Sequence, residues 1–299
     1  VNILITGAQG FVGSKLCDAL LSQNHHIVAL GRSATSSRSH DRYAYISADT
    51  TQPGEWLGAL QHVDAVVNLA GESIFKRWTE KNKQSIYDSR VLTTRRLVEN
   101  LPRSKSIPLL NASGVGFYGS RGSDELTENE PAGDDFLAAL SIDWEAAALQ
   151  AADNGHRVVC MRFGIILGKD GGALATMIST FRRFAGGRLG SGQQWFPWLH
   201  IDDLVGAILF ALQQDDLSGP VNFCSPHPVT NSELTRQLAS VLGRPALLPA
   251  PGFMLRLAMG EFADVLLGSQ RALPDRLSQA GFQFRHPNLR GALEDLLTE

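Results

Sequence analysis

The chain has 299 residues, enough at about 150 residues per domain for two domains or one large one. Hydrophobic residues make up 43% and charged residues 19%, the balance of a globular chain with a sizeable core, and no 18-residue apolar run is present to span a membrane. With 27 Lys plus Arg against 30 Asp plus Glu, the net charge of −3 gives no global attraction to nucleic acid or to an anionic membrane.

In chain order, NILIT, HIVALG, YAYISA, DAVVNLA, IPLLNAS and RVVCMRFG read as strands bounded by turn residues. Nothing basic precedes the first strand, so no secretory signal is expected. Between the strands lie the helical patterns FVGSKLCDALLSQ, EKNKQSIYDSRVLTTRRLVENL and DWEAAALQAADNG, the last stopped by Gly155. This alternation predicts an α/β fold, a doubly wound parallel sheet covered by helices on both faces. After Gly164 the texture changes. GKDGGALATM enters a helix, a Gly- and Trp-rich loop follows, and IDDLVGAILFAL reads as a helix capped by Asp202 or Asp203. PVNFC reads as one more strand of the sheet, and short helices between Pro and Gly fill the rest. The expected division is 1–165 with 201–224 returning to it, and a smaller, mainly helical part from 166–200 and 225–299. Cys17, Cys160 and Cys224 are odd in number, far apart and in apolar patterns, which predicts buried reduced thiols in a cytoplasmic protein.

TGAQGFVG, Thr6 to Gly13, follows the first strand and opens the first helix. Gly7 permits the tight turn, Gly10 lets backbone approach a pyrophosphate, and Gly13 lets the helix pack closely on the strand. The first-turn amides, including those of Phe11 and Val12, then face the phosphates. A dinucleotide site that takes NAD places Asp or Glu at the end of the second strand to grip the ribose 2′-OH. Here HIVALGRS puts Arg32 and Ser33 at that place. A guanidinium pairs with a 2′-phosphate that a carboxylate would repel, so the expected cofactor is NADP(H). Asp49 is a candidate acceptor for the adenine amino group, and a solvated loop aspartate is the alternative. Leu69, Ala70 and Gly71 of NLAG are small enough for the backbone to pass close to the ribose.

These motifs resemble the extended short-chain dehydrogenase/reductase superfamily. The segments GESIFKRWTEKNKQSIYDSRVLTTRRLVE, ASGVGFYG, DWEAAA, GGALATM, GSGQQWFPWLHIDDL and LPDRLSQAGFQFRHPNLRGALEDLL narrow the resemblance to the YfcH-like epimerase family across essentially the whole chain. The resemblance implies a Rossmann-type NADP(H)-binding domain and a small substrate-side domain. It implies that Gly164 to Ile166 line the nicotinamide end. It also places Arg90 where ordinary members carry a cofactor-facing asparagine, with a structural ion pair as the alternative role.

The departure lies in the acid–base couple. Members of the superfamily use Tyr-x-x-x-Lys, whereas the corresponding stretch, DDFLAALSIDWEAAALQ, contains neither residue. Ser113 stands one position early, with Gly114 in the usual hydroxyl slot. Ser113 and Tyr118 are therefore the candidate catalytic residues, Tyr118 having a packing role as its alternative. Glu145 reads as a first-turn residue helping the helix dipole rather than as a base. His200 has no second histidine at ligand spacing, so no metal is expected. Trp195 to Trp198 form either a lid or a seam between domains, and KRWTEKNK reads as an exposed basic face. The leading expectation is an NADP(H)-dependent oxidoreductase acting on an unidentified small molecule, a monomer or homodimer without nucleic-acid or membrane partners. A non-catalytic NADP(H)-binding sensor or scaffold and a nucleotide-sugar epimerase are the alternatives.

Overall fold

The computed structural model describes residues 1–298. Seven parallel strands form the central sheet: β1 (Asn2–Thr6), β2 (His26–Gly31), β3 (Tyr43–Ser47), β4 (Ala65–Asn68), β5 (Pro108–Gly114), β6 (Arg157–Phe163) and β7 (Gly219–Phe223). Their spatial order is β7-β6-β5-β4-β1-β2-β3, so the chain reverses direction between β1 and β4 and opens a crevice at the carboxyl edge there. Every residue of β4 is buried, as a strand covered on both faces requires.

The alternating side chains of β1 show how the two faces are covered. Ile3 and Ile5 pack with Leu16 and Leu20 of α1 (Phe11–Ser22) and with Leu204 and Ile208 of a returning helix. Leu4, between them, packs on the opposite face with Leu97 and Val98 of α2 (Glu80–Glu99) and with Ala148 of α3 (Phe136–Leu149). That helix begins seven residues before the expected Asp143. Asp135 caps it by accepting from the Ala138 amide (2.9 Å), and the apolar start FLAAL hides the boundary from a periodicity reading. Its continuation ends at Gly155 in the left-handed conformation (φ +82°), as expected.

Beyond β6 come α4 (Gly172–Arg182) and α5 (Ile201–Gln213). The α5 cap is His200, whose Nδ1 accepts from the Asp202 amide (3.1 Å), not either aspartate. Asp203 is instead buried and accepts from the amides of Arg285 and His286 (2.7 and 2.9 Å), which fastens the C-terminal segment to α5. The remaining helices are α6 (Asn231–Leu242), α7 (Gly252–Met259), α8 (Phe262–Leu267), α9 (Asp275–Gln279) and α10 (Leu289–Leu297). Leu234, Leu277 and Leu293 from three of them join the same core cluster as Ile3 and Leu16, so the C-terminal part shares the core on the α1/α5 face.

The aromatic loop is a seam. Trp195–Phe196 pairs antiparallel with Val229–Thr230, Trp198–His200 pairs parallel with Ile165–Leu167, and buried Trp198 donates its indole N–H to the His227 carbonyl. KRWTEKNK is not a free basic face either. Lys76 pairs with Glu72 and Lys83 with Glu261, and Trp78 packs edge-on against Phe136 and Phe262. All three cysteines are buried and free. Among the described residues, no helix is long and apolar enough to cross a membrane.

Candidate cofactor crevice

At the carboxyl edge of β1, β2 and β4 lies a cavity of about 450 Å³. Gly7, Gly10, Arg32, Ser33, Asp49, Leu69, Ala70 and Gly71 line it together. Thr6 builds its floor: the hydroxyl donates to Asn68 Oδ1 (2.5 Å) and accepts from the amides of Leu69 and Ala70 (3.1 and 3.0 Å). This pins the loop after β4 against the loop after β1, and the fit excludes side chains at two glycines. Gly7 sits at φ +65°, and a Cβ there would lie 2.7 Å from the Leu69 carbonyl oxygen. At Gly13 a Cβ would lie 2.2 Å from the Gly7 carbonyl oxygen, so only glycine lets α1 come this close to the turn. Gly10 caps α1 without a side-chain bond, leaving its first-turn amides to an anion.

The wall near Arg32 carries residues that the sequence did not single out, among them Gln9, Thr50, Glu72, Ser89 and Thr93. Tyr45 donates to the Ser33 carbonyl (2.7 Å) and Gln9 donates to the Thr35 carbonyl (3.0 Å), which fixes the turn after β2. Glu72 also lines the cavity. Hydrogen bonds from Lys76 (2.6 Å) and Ser85 hold its carboxyl below the usual range, so it is a satisfied anion. Asp49 spends Oδ1 on its own turn, accepting from the Thr51 amide and hydroxyl (3.0 and 2.7 Å).

Six other expected residues lie off this cavity wall. Val12 is half-buried against the core, and Gly13 is packed beneath the turn. The Phe11 ring lies against Gly168, Gly171 and Gly172. Gly164 donates to the Phe223 carbonyl (2.9 Å), and Ile166 pairs with Leu199 in the seam. Arg90 lies beside Gly71 with its guanidinium 5.3 Å from the Trp144 ring centre, bonded to the Ile86 carbonyl (3.1 Å). Burial brings its pKa down to about 10. The alternative reading of an ion pair does not hold for Arg90: its contacts are a carbonyl and an aromatic face.

Farther along the edge, the candidate catalytic residues fall into one buried network. Ser113, at the end of β5, donates to Glu145 Oε1 (2.7 Å). Arg162 on β6 grips both oxygens of Glu145 through Nε and Nη2 (2.8 Å each). Its Nη1 donates to the Tyr118 hydroxyl (2.9 Å), which in turn donates to Asn222 Oδ1 (2.7 Å). Asn222, on β7, closes the chain by donating to the carbonyls of Leu126 and Leu273.

The geometry corrects two readings. Tyr118 is fully buried with its hydroxyl bonded on both sides, and burial pushes its pKa up to about 12. It holds the core together rather than facing a substrate. Glu145 belongs to the last turns of α3 and is buried in a bidentate ion pair, so it is not a first-turn dipole partner. Arg162 and Asn222 are not picked out by the sequence reading. A charged residue inside the apolar run RVVCMRF was the available signal, since a buried guanidinium demands an anionic partner. Trp144 donates to Thr94 (2.9 Å), and Thr94 connects through Asn68 to Thr6, so α3 is tied to the turn that floors the crevice.

Comparison with known proteins agrees with this geometry. Residues 3–224 match the NAD dependent epimerase/dehydratase family, and residues 250–296 match a domain of unknown function, DUF1731. The epimerase family protein SDR39U1 homolog of Arabidopsis thaliana is 40% identical over 99% of this chain and 87% of its own length. The epimerase family protein YfhF of Bacillus subtilis is 37% identical over 100% of this chain and 99% of its own length. Human epimerase family protein SDR39U1, crystallised with NADPH, superposes with a TM-score of 0.86 at 31% identity, covering 99% of both chains. A glycine-lined crevice, a seven-stranded parallel sheet and end-to-end similarity lead to one conclusion: the chain belongs to the NAD dependent epimerase/dehydratase family and carries a C-terminal DUF1731 domain.

Proposed function

We propose that this protein binds NADP(H) in preference to NAD(H) and is an atypical oxidoreductase acting on a small molecule. One observation carries the cofactor reading: Gly7, Gly10, Arg32 and Ser33 line a single cavity, and no carboxylate stands at the end of β2. The first-turn amides of α1 would hold the pyrophosphate and Arg32 the 2′-phosphate, while Ala70 and Gly71 give the ribose room. The NADPH in the human relative's structure supports the same choice. When bound, the nicotinamide supplies a hydride donor or acceptor. Ser113 is the residue we assign to proton exchange with the substrate, its hydroxyl oriented by the bond it donates to Glu145.

Fluorescence or calorimetric titration tests the preference. NADPH should bind more tightly than NADH, and Arg32→Ala should weaken NADPH by about 10–100-fold, the worth of a charge-assisted bond. Equal losses for both cofactors would remove the phosphate assignment.

One observation favours a second reading, a non-catalytic NADP(H)-binding sensor. Glu145, Arg162, Tyr118 and Asn222 satisfy one another, which leaves Ser113 alone to do acid–base work. A screen for NADPH oxidation over carbonyl and quinone libraries separates the two: turnover lost in Ser113→Ala supports the enzyme, and tight binding without turnover supports the sensor.

A further inference from the structure

Away from the crevice, α10 and the segment before it meet the start of α5. There the fold brings together four side chains from three separate stretches of the chain. His200, Asp202, His286 and Asp295 each offer a ligand atom, and these atoms all lie within 4.8 Å of one another. The imidazoles of His200 and His286 are stacked with centroids 3.9 Å apart. His200 is completely buried, and its Nε2 has no hydrogen-bond partner although Asp295 Oδ2 lies only 3.3 Å away. A buried ring nitrogen left unpaired is costly, and such an atom marks a place where a ligand belongs.

We propose that His200, His286 and Asp295, together with Asp202, bind a divalent transition-metal ion of the zinc kind. Two imidazoles and two carboxylates form a nitrogen–oxygen set suited to Zn²⁺ rather than to Mg²⁺ or Ca²⁺, which prefer all-oxygen shells. Solvent reaches the cluster from both sides. A cavity of about 220 Å³ is lined by His200, Asp202 and Asp295, another of about 600 Å³ by His286 and Asp295, and the two meet at Asp295.

Bonds of about 2.1 Å to a tetrahedral ion set ligand atoms about 3.4 Å apart, so the cluster must contract around the metal. His200 is fixed by burial, whereas Asp202 and Asp295 are exposed and His286 is half-buried, so these three supply the movement. In the metal-free protein His200 Nδ1 accepts from the Asp202 amide, which places the ring hydrogen on Nε2. Coordination at Nε2 moves that hydrogen to Nδ1 and releases the Asp202 amide to water. The metal thus replaces the helix cap and joins α10 to α5 beside the existing clamp from Asp203 to the amides of Arg285 and His286.

The test uses the full chain without a histidine tag, stripped with chelator and titrated with ZnCl₂ by calorimetry and metal analysis. One Zn²⁺ per chain is expected, with a higher melting temperature. Outer partners of metal ligands alone are worth about 10–100-fold, so His286→Ala and Asp295→Asn should each weaken binding at least about tenfold. Replacing the remote pair His25 and His26 should change nothing. Nitrogen-15 NMR should show the His200 hydrogen moving from Nε2 to Nδ1. Both variants replace side chains outside the core, so they keep the test valid where His200→Ala fails to fold. No retained Zn²⁺, or equal affinity in parent and both variants, would overturn the site.

Discussion

The glycine-lined cavity at β1 and β2 and the side-chain cluster beneath Ser113 occupy the same edge of one sheet, and they are assembled by different means. The cavity is made of the turn from Gly7 to Gly10, completed by short turns after β2, β3 and β4. Its recognition chemistry lies in amides that point outward because α1 starts there. The cluster is made of side chains from β5, α3, β6 and β7, and its charges face one another inside the protein. The first region leaves polar groups open for a ligand. The second uses its polar groups on itself, as expected for a device that holds α3 to the sheet.

The largest expected effect tests whether the cluster really is a structural clamp. Glu145→Ala strands the Arg162 guanidinium in the core and should cost about 3–5 kcal/mol, read as a lower urea midpoint. Replacing both partners, Glu145→Leu with Arg162→Met, should recover most of that loss. A cost below about 1 kcal/mol for the single change would mean that the ion pair holds nothing. Next comes Gly13→Ala, where the added methyl strikes backbone at Gly7. It should destabilise by about 1–3 kcal/mol and also weaken NADPH, because the amides of the α1 turn are displaced. A variant with full stability and unchanged NADPH affinity would show that the close approach is not needed.

Tyr118→Phe sharpens the contrast further. It leaves Arg162 Nη1 and Asn222 Oδ1 short of a partner and should cost about 1–2 kcal/mol, with NADPH affinity unaltered. A loss of cofactor binding would move Tyr118 back into the functional region. The smallest effect concerns Glu128, which accepts from the amides of Asn222 and Arg276. Burial raises its pKa above the usual carboxylate value. The native state then holds the proton more tightly than the unfolded chain, so this contribution to stability is present below the unfolded pKa. It is lost as pH rises through the folded value. Glu128→Gln keeps the accepting oxygen without the charge. Its melting temperature relative to the parent should therefore rise between pH 5 and pH 7, and a constant difference would refute the burial argument.

The corrections share one cause. Asp202 and Asp203 look like caps in a list of residues, yet the buried His200 ring reaches the amide first, and Asp203 is drawn inward by the amides of Arg285 and His286. Glu145 looked like an early helical residue because FLAAL, with no charge or turn residue, concealed seven residues of α3. Arg32 and Ser33 line the cavity at a position that can be counted along one strand and one turn. Gln9 and Glu72 line the same cavity from neighbouring turns without any spacing rule that marks them.

By itself, the sequence determined the parallel α/β sheet, the glycine turn and the absence of the Tyr and Lys couple, since each depends on neighbours within a few residues. Tertiary structure alone decided that Ser113, Glu145, Arg162, Tyr118 and Asn222 meet, and that His200 and His286 stack across 86 positions. Period and turn chemistry are local properties of a chain. Which buried charge finds which partner is settled only when distant segments share one low-dielectric interior, where an unpaired ion is too costly to leave.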